Sequence, residues 1–219
     1  MAIAQVVLFA LISLVVMEKN LVLATFDTDM VCVWGKDNCQ INGDRLALTL
    51  NEWSGASVKG TKEFLFGYVQ MRIKLVPDDS AAVVTTYYIS SPWESKENDW
   101  HDEIDFEFLG NVTGKPYTIH TNIFINGVGN REEQFRPWFD PTSDYHNYTI
   151  FWSPYMVIIQ DCSAETPENC YTASQLRQVT QSQIESINEK RSNYMIYDYC
   201  TDTKRFKGAL PTECYLPPY

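Results

Sequence analysis

Residues His101-Asp102-Glu103-Ile104-Asp105-Phe106-Glu107-Phe108-Leu109-Gly110 form the stretch whose types and spacing could do chemistry. In an extended strand successive side chains alternate faces. His101, Glu103, Asp105 and Glu107 then share one face, and Ile104, Phe106 and Phe108 share the other. The apolar set makes an ordinary core face. Three acids in line on the opposite face repel one another and are costly to bury, so a strand built for stability alone would avoid them. Cleavage of a sugar–sugar bond needs such a set: a carboxylate to attack the anomeric carbon and a carboxylic acid to protonate the leaving oxygen.

Glu103 and Glu107 lie roughly 13 Å apart along an ideal strand at about 3.3 Å per residue, a gap that leaning side chains shorten. Retaining glycosidases need about 5–5.5 Å between carboxyl groups and inverting ones about 6.5–9.5 Å, so spacing leaves the stereochemical outcome open. Asp105, between the two on the same face, is placed to share a proton or hydrogen bond with one Glu and set their protonation states apart. Calcium binding is the rival reading. A calcium loop usually places Gly or Asn among its oxygen ligands, whereas Ile104 and Phe106 intervene here.

The elements that must position this strand are legible from alternation and turn residues. Leu46–Leu50, Phe64–Leu75, Ala82–Ser90, His101–Leu109, Tyr117–Ile125 and Tyr148–Ile159 read as strands separated by Gly, Pro, Asn and Asp. Several short strands with turn signals predict an all-β antiparallel sandwich. Pro92–Asp99 reads as a polar loop feeding the acidic strand, and Ser174–Tyr194 as a surface helix with Leu176, Val179, Ile184 and Ile187 at helical spacing. A chain of 219 residues supports one sizeable core.

Residues 6–16 are apolar but too short a run to span a bilayer comfortably, and Val22-Leu23-Ala24 follows as a small-residue cleavage site. Residues 1–24 therefore read as a secretory signal peptide, 25–160 as the sandwich and 161–219 as a cysteine-containing extension. Secretion favours pairing of the six cysteines, which fall as Cys32/Cys39, Cys162/Cys170 and Cys200/Cys214. Asn111-Val112-Thr113 and Asn147-Tyr148-Thr149 are glycosylation sequons, the second at the start of an apolar run. A net charge of −11, from 28 acidic and 17 basic residues, argues against nucleic acid as a partner. A neutral polysaccharide meets no such barrier. Aromatic residues make up 14% of the chain, and sugar rings stack their C–H faces on aromatic rings. Tyr87, Tyr88, Trp93 and Trp100 flank the acidic strand.

With Asn111-Val112-Thr113-Gly114 directly behind it, the acidic segment resembles the active-site strand of the xyloglucan endotransglucosylase/hydrolase family, the plant branch of the β-jelly-roll glycoside hydrolases of family 16. Trp34-Gly35-Lys36, Gln40-Ile41-Asn42-Gly43, Phe64-Leu65-Phe66-Gly67, Tyr87-Tyr88-Ile89-Ser90-Ser91 and Trp138-Phe139-Asp140-Pro141-Thr142 resemble that family in order, as does the tail Tyr199-Cys200-Thr201-Asp202 with Glu213-Cys214. The resemblance implies a jelly roll in which Glu103 is the nucleophile, Glu107 the general acid/base and Asp105 the helper between them. It implies His101, Asn122, Arg131, Glu132, Tyr87 and Trp100 at the glucan, a glycan on Asn111, and disulfides Cys162–Cys170 and Cys200–Cys214. Cys32 and Cys39 fall outside its pattern, which leaves a small local bridge and two free thiols both open.

The implied activity is cleavage of the β-1,4-glucan backbone of xyloglucan with transfer to another chain end or to water, by a secreted monomer of the cell wall or apoplast. No cofactor, metal, nucleic acid or membrane is implied. One departure stands against this. In the family the strand matching Tyr148–Ile159 continues into an Asp-Gly hairpin and further strands, whereas here Val157-Ile158-Ile159-Gln160 runs into Asp161-Cys162. A sandwich short of inner strands has uncovered edges, so a non-catalytic carbohydrate-binding module or an inactive family member is the alternative reading.

Overall fold

The computed structural model describes residues 4–7, 11–13, 24–92, 101–153, 157–162 and 181–216. The chain runs through β1 (Ala4–Val7), β2 (Leu11–Ser13), a short helix α1 (Phe26–Asp29), β3 (Met30–Trp34), β4 (Cys39–Asn42), β5 (Arg45–Leu48), β6 (Ser57–Gly60) and β7 (Glu63–Phe64). It continues through β8 (Gly67–Ile73), β9 (Val84–Ser90), β10 (Glu103–Leu109), β11 (Thr118–Phe124), β12 (Glu133–Phe135), β13 (His146–Trp152), β14 (Val157–Cys162), helix α2 (Gln181–Tyr194) and β15 (Met195–Asp198). A seven-stranded sheet in the order β15-β12-β11-β10-β9-β1-β7 faces a four-stranded sheet, β14-β13-β8-β2. Together they form the all-β, antiparallel jelly-roll sandwich expected from the sequence.

The core lies between these layers. Ile104, Phe106 and Phe108 of β10 are buried there with Ile89 of β9 and Ile119 of β11, against Val69 and Met71 of β8 and Tyr148 and Ile150 of β13. Tyr148 reaches across with its ring edge toward Phe106 and Phe108, at 5.7 and 4.6 Å between centroids. Edge-to-face packing of this kind adds to the burial of the rings themselves. Alternation on β10 therefore does what its sequence demands, with the apolar face sealed and the acidic face outside the core.

Two expected strands are each divided. The stretch 148–159 forms β13 and β14, paired antiparallel from Asn147↔Cys162 to Trp152↔Val157. Pro154 lies between them in the sequence, and proline lacks the N–H that a continuous ladder requires. The stretch 64–75 breaks at Phe66, whose φ of 64° is a left-handed conformation outside the strand region. The tail adds something the sequence did not announce, because β15 joins the main sheet at the edge of β12. Helix α2 has no buried residue, and Ile184 and Ile187 are half-covered; Leu176 and Val179 lie outside the described residues.

The N-terminal apolar run takes strand positions in both sheets, β1 beside β9 and β2 beside β8. Cys32 and Cys39 are joined as a disulfide, as are Cys200 and Cys214. The Cys162–Cys170 pairing lies outside the described residues, as do Trp93, Trp100 and the loop 93–99. Among the described residues no helix is long and apolar enough to cross a membrane.

Candidate active site

Strand β10 is central in its sheet, and the register on either side decides what meets the acids. Glu103, Asp105 and Glu107 lie opposite Ser90, Tyr88 and Thr86 of β9. On the other side they lie opposite Phe124, Asn122 and His120 of β11. Gln134 of β12 in turn faces His120. The functional face is thus a patch of polar and aromatic side chains four strands wide.

At its C-terminal end β10 is held by a close backbone approach. Gly110 donates its N–H to the Val83 carbonyl at 2.9 Å, and Ser80 and Asn111 exchange hydrogen bonds at 3.0–3.2 Å. A Cβ on Gly110 would sit 1.9 Å from the Ser80 carbonyl oxygen, so only glycine fits there. At the other end the chain enters through His101, whose carbonyl accepts the Gly127 N–H at 2.7 Å.

Asp105 is the electrostatic centre. It is 7% exposed, and burial pushes its carboxyl up to about 9, with the neighbouring Glu103 charge and a hydrogen bond shared with Glu103 acting the same way, and Glu107 adding a smaller push. Asp105 is therefore neutral near pH 7 and can donate its proton to Glu103. Its Oδ1 is buried without a partner, which costs less on a neutral acid than on a carboxylate. One proton thus removes the middle charge from a row of three acids.

Each Glu has a histidine beside it. His101 Nε2 stands 3.6 Å from Glu103 Oε2 with its ring stacked over Phe124 at 5.5 Å. His120 Nε2 stands 3.9 Å from Glu107 Oε2, and its Nδ1 is 3.2 Å from the Gln134 side-chain nitrogen. Asn122 is nearly buried, and its Oδ1 accepts the backbone N–H groups of Ile123 and Arg131 at 2.9 and 3.0 Å. Gly129 passes so close that a Cβ there would fall 2.9 Å from the Asn122 amide nitrogen.

Arg131 and Glu132, expected at the glucan, have their charged ends committed to the tail. Arg131 Nε donates to Glu213 at 2.6 Å and its Nη1 to the Val128 and Gly129 carbonyls. Arg205 donates to both Glu132 oxygens at 2.8 and 2.9 Å and to Asn130 at 2.6 Å. Burial alone would raise the Glu132 carboxyl, but the Arg205 hydrogen bonds, a backbone hydrogen bond and the Arg205 and His120 charges together hold Glu132 below the usual range. The disulfide-closed tail therefore fastens the loop that backs Asn122.

Tyr87 requires a correction. It faces Phe106 rather than the acids, is fully buried and stacks parallel to Phe106 at 6.2 Å. A side chain between the sheets cannot touch a sugar on the outer face. Its neighbour Tyr88 lies opposite Asp105 instead, where burial first and then the carboxyls of Glu103 and Asp105 raise its hydroxyl. The parity of Val84-Thr85-Thr86-Tyr87-Tyr88-Ile89-Ser90 carried the signal: Tyr87 alternates with Ile89, whereas Tyr88 alternates with Thr86 and Ser90. Gln134 and Arg205 were missed for want of any local pattern. Among the described residues, no cluster of three or more His, Cys, Asp or Glu side chains could hold a metal ion.

A jelly roll whose central strand carries two glutamates about a neutral aspartate defines a glycosidic-bond enzyme. The family model for glycosyl hydrolases family 16 matches residues 26–185, and that for the xyloglucan endo-transglycosylase C-terminus matches residues 165–214. A probable xyloglucan endotransglucosylase/hydrolase protein 23 of Arabidopsis thaliana is 34% identical over 268 residues, covering 87% of this chain and 91% of the relative. Xyloglucan endotransglucosylase protein 7 of Diospyros kaki is 52% identical over 127 residues, covering 57% of this chain and 46% of the relative. A prokaryotic β-1,3-1,4-glucanase (lichenase) from a mouse hindgut metagenome superimposes with a TM-score of 0.48 at 24% identity, covering 61% of this chain and 63% of that one. The chain belongs to the xyloglucan endotransglucosylase/hydrolase family within glycosyl hydrolases family 16. The Arabidopsis alignment runs over 268 positions yet holds 87% of a 219-residue chain, so it crosses a long stretch of the relative with no counterpart here.

Proposed function

We propose that this chain cleaves the β-1,4-glucan backbone of xyloglucan with retention and passes the glycosyl group to another xyloglucan end or to water. Glu103 attacks the anomeric carbon while Glu107 protonates the departing glycosidic oxygen, which gives a covalent glycosyl-enzyme and a freed chain end. Glu107, now a carboxylate, takes the proton of the incoming hydroxyl as that oxygen displaces Glu103. Asp105 holds Glu103 in place through both steps, and His101, Tyr88 and Asn122 line the sugar beside it. Secretion to the cell wall, removal of residues 1–24 and a glycan on Asn111 belong to the same reading.

The observation that carries this proposal is the neutral Asp105 hydrogen-bonded to Glu103 between two glutamates on one face. A labelled xyloglucan oligosaccharide incubated with polymer and protein should appear in high-mass product, and Glu103→Ala should abolish that incorporation while leaving polysaccharide binding. Incorporation that survives the substitution removes Glu103 as nucleophile. The stretch of the Arabidopsis relative without a counterpart here favours a second reading, a carbohydrate-binding sandwich without turnover. Binding of the oligosaccharide with no incorporation by the unaltered chain would select it.

A further inference from the structure

Glu107 is the more exposed of the two glutamates, with 38% of its side chain accessible against 19% for Glu103. Asp105 shares its hydrogen bond with Glu103. A glutamate this open samples several rotamers, and confining it to one costs conformational entropy. A proton donor must nonetheless lie within hydrogen-bond reach of the leaving oxygen. Something else has to hold Glu107.

The cross-strand neighbour on β11 is His120, only 16% exposed, with Nε2 at 3.9 Å from Glu107 Oε2. Its other ring nitrogen is 3.2 Å from the Gln134 amide nitrogen on β12. If Gln134 donates to Nδ1, the neutral ring carries its hydrogen on Nε2, pointed at Glu107. The side chains facing His120 are then Glu107 from β10 and Gln134 from β12, with the charge of Glu132, the residue before β12, also felt there. Glu132 is bound on both oxygens by Arg205, which leaves Glu107 as the partner for the Nε2–H.

Resting on the catalytic reading above, we propose that His120, oriented by Gln134, is a positioning residue for the acid/base: its Nε2–H holds the Glu107 carboxyl in line with the glycosidic oxygen. The separation of 3.9 Å closes to hydrogen-bond length in the substrate complex, as catalytic contacts often do.

The test exploits leaving-group dependence. Departure of a sugar hydroxyl needs protonation, whereas an activated phenolate departs without it. kcat/KM reports the first irreversible step, in which Glu107 is the acid. His120→Ala should lower kcat/KM for an unactivated xyloglucan oligosaccharide donor by roughly tenfold to a hundredfold, within the range general acids contribute. The same oligosaccharide carried as a chloronitrophenyl glycoside should be turned over almost as before. His120→Gln, which retains an N–H donor, should restore most of the loss, and Gln134→Ala should repeat the pattern at smaller amplitude in a protein that still melts cooperatively. Equal losses on both donors, or none on either, overturn the assignment while leaving the catalytic reading intact. An unaltered chain inactive on both donors overturns the catalytic reading and this assignment with it.

Discussion

At Asp105 the burial that makes the carboxyl a proton holder also makes it a liability. The fold weakens it as an acid, pushing its pKa up to about 9 from the ordinary 3.8. Below about pH 4 native and unfolded chains both keep the proton, and nothing is lost. Between there and about pH 9 the unfolded chain releases a proton that the native chain retains, so stability declines as pH rises. Asparagine mimics the neutral acid and still donates to Glu103 without titrating. Asp105→Asn should therefore match the parent melting temperature near pH 4 and exceed it near pH 8. Parallel melting curves across that window would show that Asp105 is not held neutral. Residue-level reading succeeded here because alternation and charge are local properties, and it failed by one position at Tyr87 because a two-residue aromatic run belongs to both faces.

Strand β10 is placed by its ends as much as by its partners. The Gly110–Ser80 approach marks its end, while the ladders with β9 and β11 set the register of the acids. Gly110→Ala puts a methyl group 1.9 Å from a carbonyl oxygen, so the backbone must move, at a cost of about 1–3 kcal/mol by comparison with other overpacked sites. In a domain of this size that lowers the melting temperature by about 2–4 °C per kcal/mol, which calorimetry can read. An unchanged melting temperature would mean that the loop 80–83 yields freely. The tail fastens the other side of the site. Arg131–Glu213 and Arg205–Glu132 link it to the loop behind Asn122, and Arg191 bridges Glu133 and Asp198 beside β15. Three of these four pairs join residues 58 to 82 positions apart, and no local pattern foretold them.

For the whole molecule the open question is sheet edges. A long stretch of the Arabidopsis relative has no counterpart here, and β1 and β2 from the N-terminal apolar run occupy places beside β9 and β8. An unpaired sheet edge offers groups that a further strand can pair with. A chain beginning at Thr25 loses the pairings of Gln5, Val6 and Val7 with β9 and of Leu11, Ile12 and Ser13 with β8. It should melt below the chain that begins at Met1, and paired thermal scans of the two purified proteins measure the gap. Equal melting temperatures would show that these strands contribute nothing. Mass spectrometry of the secreted protein tests the cleavage itself.

The amino-acid sequence by itself determined the acidic face and the apolar face of β10, the sandwich class and the family, because strand alternation and motif identity depend on neighbours within a few positions. The tertiary structure alone decided which tyrosine meets the acids, that His120 stands beside Glu107, that the tail clasps the loop at Arg131 and Glu132, and that Cys32 and Cys39 are joined rather than free. Those facts depend on register between strands and on contacts such as Arg131 with Glu213, 82 positions apart. Contacts at that separation arise only when the whole sandwich closes.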